Sequence, residues 1–303
     1  MLDGMELFLA RPGDLPPIAA TISLVWAFIF GACWGSFANV VIARVPAGIS
    51  VVTPRSRCPK CEKQISGFDN IPVLSWVILR GKCRNCKTTI SWRYPLIELI
   101  CGVAGMAVVA RAGWTLDSLE LFTLVVILTA IAFIDIDTWT VPHPMWIALV
   151  AAGLALGGGR AYLAGDPWVL FDRLIGAAGA GVALGAVVVV STGILRRTGR
   201  LAADQTAMGW GDPLILVGVG AFLGWKLLPL VLFLASLQGA VIGLIARATG
   251  GLAGTTPVSD DDDWIPPKGA VPFGPFLALG ALEAAFFGDA VLDRVLPMLG
   301  LGI

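Results

Sequence analysis

Two aspartates stand where apolar stretches meet polar sequence. Asp135 lies in the segment Phe-Ile-Asp-Ile-Asp, and Asp212 ends the segment Met-Gly-Trp-Gly-Asp. Neither has a basic neighbour in the sequence, and a carboxylate at membrane depth is costly unless it has a function. Two such groups can share a proton, so that one acts as a base on water and the other as an acid on a carbonyl group. In a chain with one histidine, this pattern favours peptide hydrolysis by paired aspartates.

Residues beside the pair have supporting roles. Asp137 is interpreted as an auxiliary acceptor, and it is also the alternative for the first catalytic position. Gly209 and Gly211 would let the backbone of an extended substrate approach Asp212. An Asp-Pro pair is also typical of a helix start, and capping is compatible with catalysis. His143, flanked by prolines, is interpreted as a turn or interfacial residue rather than a general base.

Four of the six cysteines share one polar loop. Cys58 and Cys61 form one Cys-x-x-Cys pair, and Cys83 and Cys86 form another after 21 intervening residues. This spacing is typical of a tetrahedral zinc site, and a loop of about fifty residues needs such a metal because it buries little core. Two disulfides or four free thiols are the alternatives. Disulfides are disfavoured if the loop is cytoplasmic.

The composition is that of a membrane protein. Hydrophobic residues make up 57% of the chain, charged residues 14%, and the mean hydropathy is +0.84, whereas soluble domains carry about 25% charged residues. The 21 basic and 21 acidic residues balance, so nothing indicates a nucleic-acid partner. We predict an all-α polytopic fold with about eight transmembrane helices in the lipid bilayer. The predicted spans are 18–43, 95–112, 118–135, 144–159, 170–195, 212–225, 226–247 and 272–300.

The distribution of basic residues predicts orientation. The loop 46–94 holds nine basic and two acidic residues, which places this zinc-ribbon-like loop in the cytoplasm. Threading the spans from there puts Asp135 and Asp212 at the same cytoplasmic boundary, so they can meet. The expected domains are a first transmembrane helix (1–45), a cytoplasmic four-cysteine domain (46–94) and a multi-helix peptidase domain (95–303).

Several segments together resemble the bacterial type IV prepilin peptidases. In the first part of the chain they are Gly35-Ser36-Phe37-Ala38-Asn39-Val40-Val41, Arg44-Val45-Pro46, Pro54-Arg55-Ser56-Arg57-Cys58-Pro59-Lys60-Cys61, Asp69-Asn70-Ile71-Pro72, Leu79-Arg80-Gly81-Lys82-Cys83 and Arg93-Tyr94-Pro95-Leu96-Ile97-Glu98. Later they are Ile134-Asp135-Ile136-Asp137, Val141-Pro142, Met208-Gly209-Trp210-Gly211-Asp212 and Pro272-Phe273-Gly274-Pro275-Phe276. These segments cover nearly the whole chain in order and are highly specific together.

The resemblance implies a bifunctional enzyme of the bacterial inner membrane. Such enzymes cleave the leader of type IV prepilins and pseudopilins on the cytoplasmic side, then methylate the new N-terminus with S-adenosylmethionine. The family's catalytic aspartates correspond to Asp135 and Asp212, and its metal-binding cysteines to the loop quartet. This chain differs at His143, where relatives often have Asn or an acidic residue, and at Leu214, where they often have lysine.

Three features remain open at the level of the sequence. The run Asp260, Asp261, Asp262, Asp263 is most simply a solvated loop, and the sharper hypothesis is a dock for a basic prepilin leader. No glycine-rich nucleotide loop is present, so the S-adenosylmethionine site is not located. The alternative functions are an ion-coupled transporter that uses the two aspartates and a zinc-bearing scaffold without chemistry.

Overall fold

The computed structural model describes residues 11–202, 206–248 and 271–298. Within these ranges the chain is helical and forms no β-strand. The helices are α1 (Pro17–Arg44), α2 (Leu74–Ile78), α3 (Arg93–Ala112), α4 (Leu116–Thr138), α5 (His143–Ala164), α6 (Trp168–Arg197), α7 (Gly211–Leu223), α8 (Leu228–Ala248) and α9 (Gly274–Met298). The four-aspartate run 260–263 lies outside the described residues, so the structure does not test the hypothesis that it docks a basic prepilin leader.

Seven of the described helices, all except α2 and α7, are long and apolar enough to cross a membrane. The polytopic all-α prediction is therefore confirmed. The prediction that 212–225 spans the membrane is wrong. Helix α7, which occupies this segment, has 13 residues and would extend for only about 20 Å of the roughly 30 Å of hydrocarbon. Its end is set at Gly224, whose φ of 73° is left-handed and stops the helix.

The chain divides into two compact units, with the boundary between residues 130 and 131 inside α4. In the first unit α1 packs closely on α3. A side chain at Gly105 would meet the Ala27 carbonyl oxygen at 2.6 Å, and one at Gly35 would meet the Glu98 Cα at 2.7 Å. Small residues therefore allow backbone contact between these two helices. Asn39 of α1 also donates to the Tyr94 carbonyl at 3.1 Å.

The second unit contains the last residues of α4 and helices α5 to α9. Helix α7 is its most buried element, with Ile215, Leu216 and Val219 fully inaccessible. Because α7 carries Asp212 in its first turn, the packing around this helix decides where that carboxylate lies.

Candidate active site and metal centre

Asp135 is buried near the end of α4, with 6% of its surface exposed. Its Oδ2 accepts a hydrogen bond from the Gly274 backbone N–H at 3.1 Å. Gly274 is the first residue of α9, so the carboxylate lies at a helix N-terminus, where backbone N–H groups and the helix dipole favour negative charge. Gly274 has no room for a side chain, because a Cβ there would collide with the Asp135 carboxylate.

Asp212 lies in the first turn of α7 and is half-buried. Ile215, one turn further along, also borders Gly274, with its Cδ1 3.1 Å from the position of a Gly274 Cβ. The start of α7, the start of α9 and the end of α4 therefore converge, and the two carboxylates interact electrostatically. The predicted pair is brought together from residues 77 positions apart in the sequence.

The neighbouring candidates fall into different environments. Asp137 is exposed. Gly211 packs on Val141, since a Cβ at Gly211 would meet the Val141 Cγ2 at 2.8 Å, whereas Gly209 faces nearly open space. His143 begins α5, and its Nδ1 accepts a hydrogen bond from Trp146 Nε1 at 3.1 Å.

The sequence analysis did not predict two residues that contact the site or the segment leading to it. Gly274 was recognised as part of a family segment, yet its N–H was not predicted to bind Asp135; the Gly-Pro pair at a helix start is a signal that could have indicated it. The second partner is Thr192, a buried residue of α6 whose Oγ1 accepts the Ala207 N–H at 3.0 Å. This bond fixes the segment that leads to Asp212, and no sequence pattern marks it.

Helix α7 is held between α5 and α6 by backbone contact. A Cβ at Gly176 of α6 would lie 2.6 Å from the Gly220 carbonyl oxygen, and a Cβ at Gly153 of α5 would lie 2.8 Å from the Ala221 carbonyl. Gly179, three residues after Gly176, meets nothing within 4 Å. Helix α6 therefore approaches its neighbour closely at Gly176 and not at Gly179.

A buried arginine joins α6 to α5 beside this contact. Arg173 is 6% exposed, and its Nη1 donates to the Gly153 carbonyl at 3.2 Å. The guanidinium passes over Gly157, where any Cβ would collide with it. Gly153, which contacts the backbone of α7, therefore also accepts the hydrogen bond from Arg173.

The four loop cysteines form one cluster, with all sulfur atoms within 4.8 Å of one another. The Cys58 and Cys86 sulfur atoms are 3.7 Å apart. Four thiolates bound to zinc at about 2.3 Å in a tetrahedron would be about 3.8 Å apart, so the donor set could hold such an ion. None of the four is in a disulfide.

Each Cys-x-x-Cys pair ends in a turn of its own, and the two turns have the same conformation. Glu62 and Lys87, which follow the second cysteine of each pair, have φ values of 55° and 59°. Their N–H groups donate to the carbonyls of Cys58 and Cys83 at 2.9 and 3.0 Å. Backbone hydrogen bonds from Cys61 and Lys60 lower the pKa of the Cys58 thiol to about 6. The pKa of Cys61 is raised to about 11, because a backbone hydrogen bond from Lys63, which lowers it, is outweighed by burial and by the side chains of the other three cysteines. Cys58 is therefore the first of the two to become the thiolate that metals bind.

The rest of the loop packs around these turns. Trp76 donates to the Ile90 carbonyl at 3.1 Å, and its ring lies against Gly81. Arg84 forms a salt bridge with Asp69 at 2.6 Å, and this lowers the pKa of Asp69.

Two glutamates in apolar helices also have partners. Glu98 is buried in α3 and accepts the Val73 backbone N–H at 2.6 Å, a partner that the sequence did not suggest. Glu283 of α9 accepts a hydrogen bond from Gln238 Nε2 of α8 at 2.5 Å.

Two family models match the chain. Residues 29–112 match the bacterial peptidase A24 N-terminal domain, and residues 122–244 match the type IV leader peptidase family. No solved structure matches the chain significantly.

Curated relatives are similar along nearly their whole length. A protein of Myxococcus xanthus (strain DK1622) is 35% identical, with 94% of this chain and 95% of the relative covered. A protein of Stutzerimonas stutzeri is 32% identical over 88% of this chain and 91% of the relative, and one of Pseudomonas putida is 33% identical over 90% and 94%. Each of the three is named prepilin leader peptidase/N-methyltransferase. These matches confirm the resemblance inferred from the motifs, and the chain belongs to the type IV leader peptidase family.

Proposed function

We propose that this protein cleaves the leader peptide of type IV prepilins or pseudopilins and then methylates the new N-terminal amine. The observation that carries the peptidase assignment is the convergence of Asp135 and Asp212 at the starts of α7 and α9. The curated relatives carry both activities in their names.

In the proposed reaction the two carboxylates share one proton. The ionised carboxylate takes a proton from water, and the water oxygen attacks the scissile carbonyl carbon. The protonated carboxylate donates its proton to the carbonyl oxygen, giving a tetrahedral intermediate. This intermediate collapses when the first carboxylate donates its proton to the amide nitrogen. The C–N bond then breaks, and one hydroxyl proton of the intermediate returns to the second carboxylate, which regenerates the pair. Two carboxylates that share one proton act as a unit, so these roles belong to the pair.

The environment supports Asp135 rather than Asp137 as the first carboxylate. Asp135 is buried, receives a backbone N–H and interacts with Asp212, whereas Asp137 is exposed. Gly209 has open space around it, which supports a place for the substrate backbone beside Asp212. An ion-coupled transporter is not favoured, because the family match concerns peptidases.

The active site is proposed to lie at the cytoplasmic face of the bacterial inner membrane. Support comes from the nine basic and two acidic residues of loop 46–94, since basic loops stay in the cytoplasm. Zinc is the proposed structural ion of the cluster formed by Cys58, Cys61, Cys83 and Cys86. It would link the two Cys-x-x-Cys pairs and so stabilise the loop. S-adenosylmethionine is the proposed methyl donor.

The test uses the purified full-length protein in detergent with a prepilin. Mass spectrometry of the product should show a leader removed, and a further 14 Da on the pilin N-terminus when S-adenosylmethionine is added, the mass of one methylene. Asp135→Asn and Asp212→Asn should each abolish cleavage and leave the protein folded. Asp137→Asn should retain cleavage. Loss of activity in Asp137→Asn with retention in Asp135→Asn would move the catalytic role to Asp137. Full activity in either Asp135→Asn or Asp212→Asn would exclude the pair of Asp135 and Asp212.

A further inference from the structure

The four-cysteine loop exposes a compact set of large apolar side chains. We name this set the apolar patch: Phe68, Ile71, Leu74, Val77 and Ile78. All five are more than two-fifths exposed, and Phe68 and Ile78 are 84% and 65% exposed. On α2, the last three are spaced at i, i+3 and i+4, so they share one helix face. Large exposed apolar side chains at this density outside a membrane span indicate a surface that meets a partner.

The patch is fixed to the membrane helices at one point. The Val73 N–H, between Ile71 and Leu74, donates to the buried Glu98 carboxylate of α3 at 2.6 Å. Glu98 stands five residues after the start of α3, which corresponds to about 7.5 Å along the helix axis. Helix α3 has 20 residues, about the 30 Å length of the hydrocarbon core. Because side chains of a helix are directed toward its N-terminus, the Glu98 carboxylate reaches back toward the start of α3, and the patch that it holds lies near the boundary between hydrocarbon and headgroups.

The backbone at this point is strained. Val73 has φ 62° and ψ −53°, and the Leu74 N–H donates to the Pro72 carbonyl at 2.6 Å, which makes a γ-turn. A β-branched residue at positive φ is disfavoured and persists only where surrounding contacts impose it. The hydrogen bond from the Val73 N–H to the Glu98 carboxylate is such a contact, and it ties the patch to α3.

The charges beside the patch select the kind of surface it fits. Arg80, Lys82 and Lys87 follow the patch and are exposed. The acidic residue in this part of the loop, Asp69, is in a salt bridge with Arg84. Apolar side chains next to exposed basic residues are the composition of segments that lie in the interface of an anionic membrane.

We propose that the apolar patch inserts into the headgroup region of the bilayer next to α1 and α3, with the flanking basic residues on anionic phospholipid. The four-cysteine loop is then a membrane-surface element rather than a free domain on a tether. The two aspartates play no part in this inference.

The test places the photoreactive residue p-benzoylphenylalanine at Val77 or Ile78 of the full-length protein in vesicles of phosphatidylcholine and phosphatidylglycerol. Trp26, exposed on the membrane helix α1, is the positive control position, and the exposed polar Gln64 of the same loop is the negative one. After illumination, mass spectrometry should show lipid adducts at both patch positions at yields close to Trp26 and well above Gln64. Adducts at Trp26 alone would overturn the proposal.

Two further arms make the assignment sharper. Removal of one charge by Arg80→Gln or Lys82→Gln should lower the preference of the patch for phosphatidylglycerol over phosphatidylcholine about fivefold, the factor that corresponds to about 1 kcal/mol per basic residue at an anionic surface. Added prepilin should leave the lipid adducts in place. Transfer of the crosslinks from lipid to prepilin would identify the patch as a substrate-binding surface and would also overturn the proposal.

Discussion

Substitution of Gly176 by alanine should reduce peptidase activity although Gly176 lies far from the aspartates in the sequence. The new Cβ would lie 2.6 Å from the Gly220 carbonyl oxygen, where nonbonded atoms normally stay about 3.5 Å apart. Helices α6 and α7 must therefore separate by about 0.9 Å, at an overpacking cost of about 1–3 kcal/mol. Asp212 is on the same rigid helix as Gly220, eight residues or about 12 Å away, so the shift reaches the carboxylate.

The expected kinetic effect follows from this displacement. A misplacement of about 1 Å at a reacting group can cost about 100-fold in rate, so kcat should fall about 10- to 100-fold while KM changes less. The matched control is Gly179→Ala on the same helix, where a Cβ meets nothing within 4 Å. This control should be as active as the wild type, and its stability should be equal or up to about 1 kcal/mol higher, since alanine is the better helix former.

The assay measures kcat and KM for prepilin cleavage and the thermal midpoint of unfolding for both variants in one detergent. Gly220→Ala provides an independent check, because its Cβ would lie 2.5 Å from the Gly176 carbonyl. Wild-type kcat in Gly176→Ala would refute the idea that α7 packing positions Asp212. So would an equal loss in Gly179→Ala, because that loss could not come from contact with α7.

Three further predictions concern the substrate, the metal and the loop. Gly209→Ala should raise KM without lowering the thermal midpoint, because the space around Gly209 is open, whereas Gly211→Ala should lower the midpoint by forcing Val141 away; the reverse pattern would exclude Gly209 as a substrate contact. Cys58→Ser should reduce bound zinc from about one ion per chain, measured by elemental analysis, since it removes one of four ligands; wild-type protein that contains no metal would contradict this. Glu98→Gln should increase amide hydrogen exchange in residues 67–81, because a neutral acceptor holds the Val73 N–H less strongly; unchanged exchange would show that the γ-turn is held by other contacts.

The sequence predicted those features that follow from local pattern. Runs of apolar residues located the seven described helices that are long enough to cross a membrane, and also the shorter α7, because a helix in lipid must satisfy its own backbone and present apolar side chains. The two Cys-x-x-Cys pairs predicted a cluster, because each pair closes a short turn that directs both sulfur atoms to one side. The bounds of α7 were predicted to within two residues, 212–225 against Gly211–Leu223, but the prediction that this segment spans the membrane was wrong, because a helix of 13 residues is too short.

The contacts that position the site could not be predicted, because they depend on how distant helices pack. Nothing near Asp135 in the sequence indicates that its carboxylate accepts the Gly274 N–H, 139 residues later. Likewise, Gly176 and Gly179 look equivalent as small residues on one helix, and only the structure shows that one contacts α7 and the other does not. Residue type indicates that close approach is possible, and tertiary packing decides where it occurs.

The short α7 gives these packing contacts their importance. A helix that spans the bilayer is fixed in depth by its own apolar length, but α7, with 13 residues, has no such constraint. Its depth must come from its neighbours, through Gly153 and Gly176 at the backbone and through Arg173, which bonds the Gly153 carbonyl. A carboxylate that must meet a second carboxylate within hydrogen-bonding range is thus carried on a helix that its neighbours hold on two sides, which explains why the glycines concentrate beside α7.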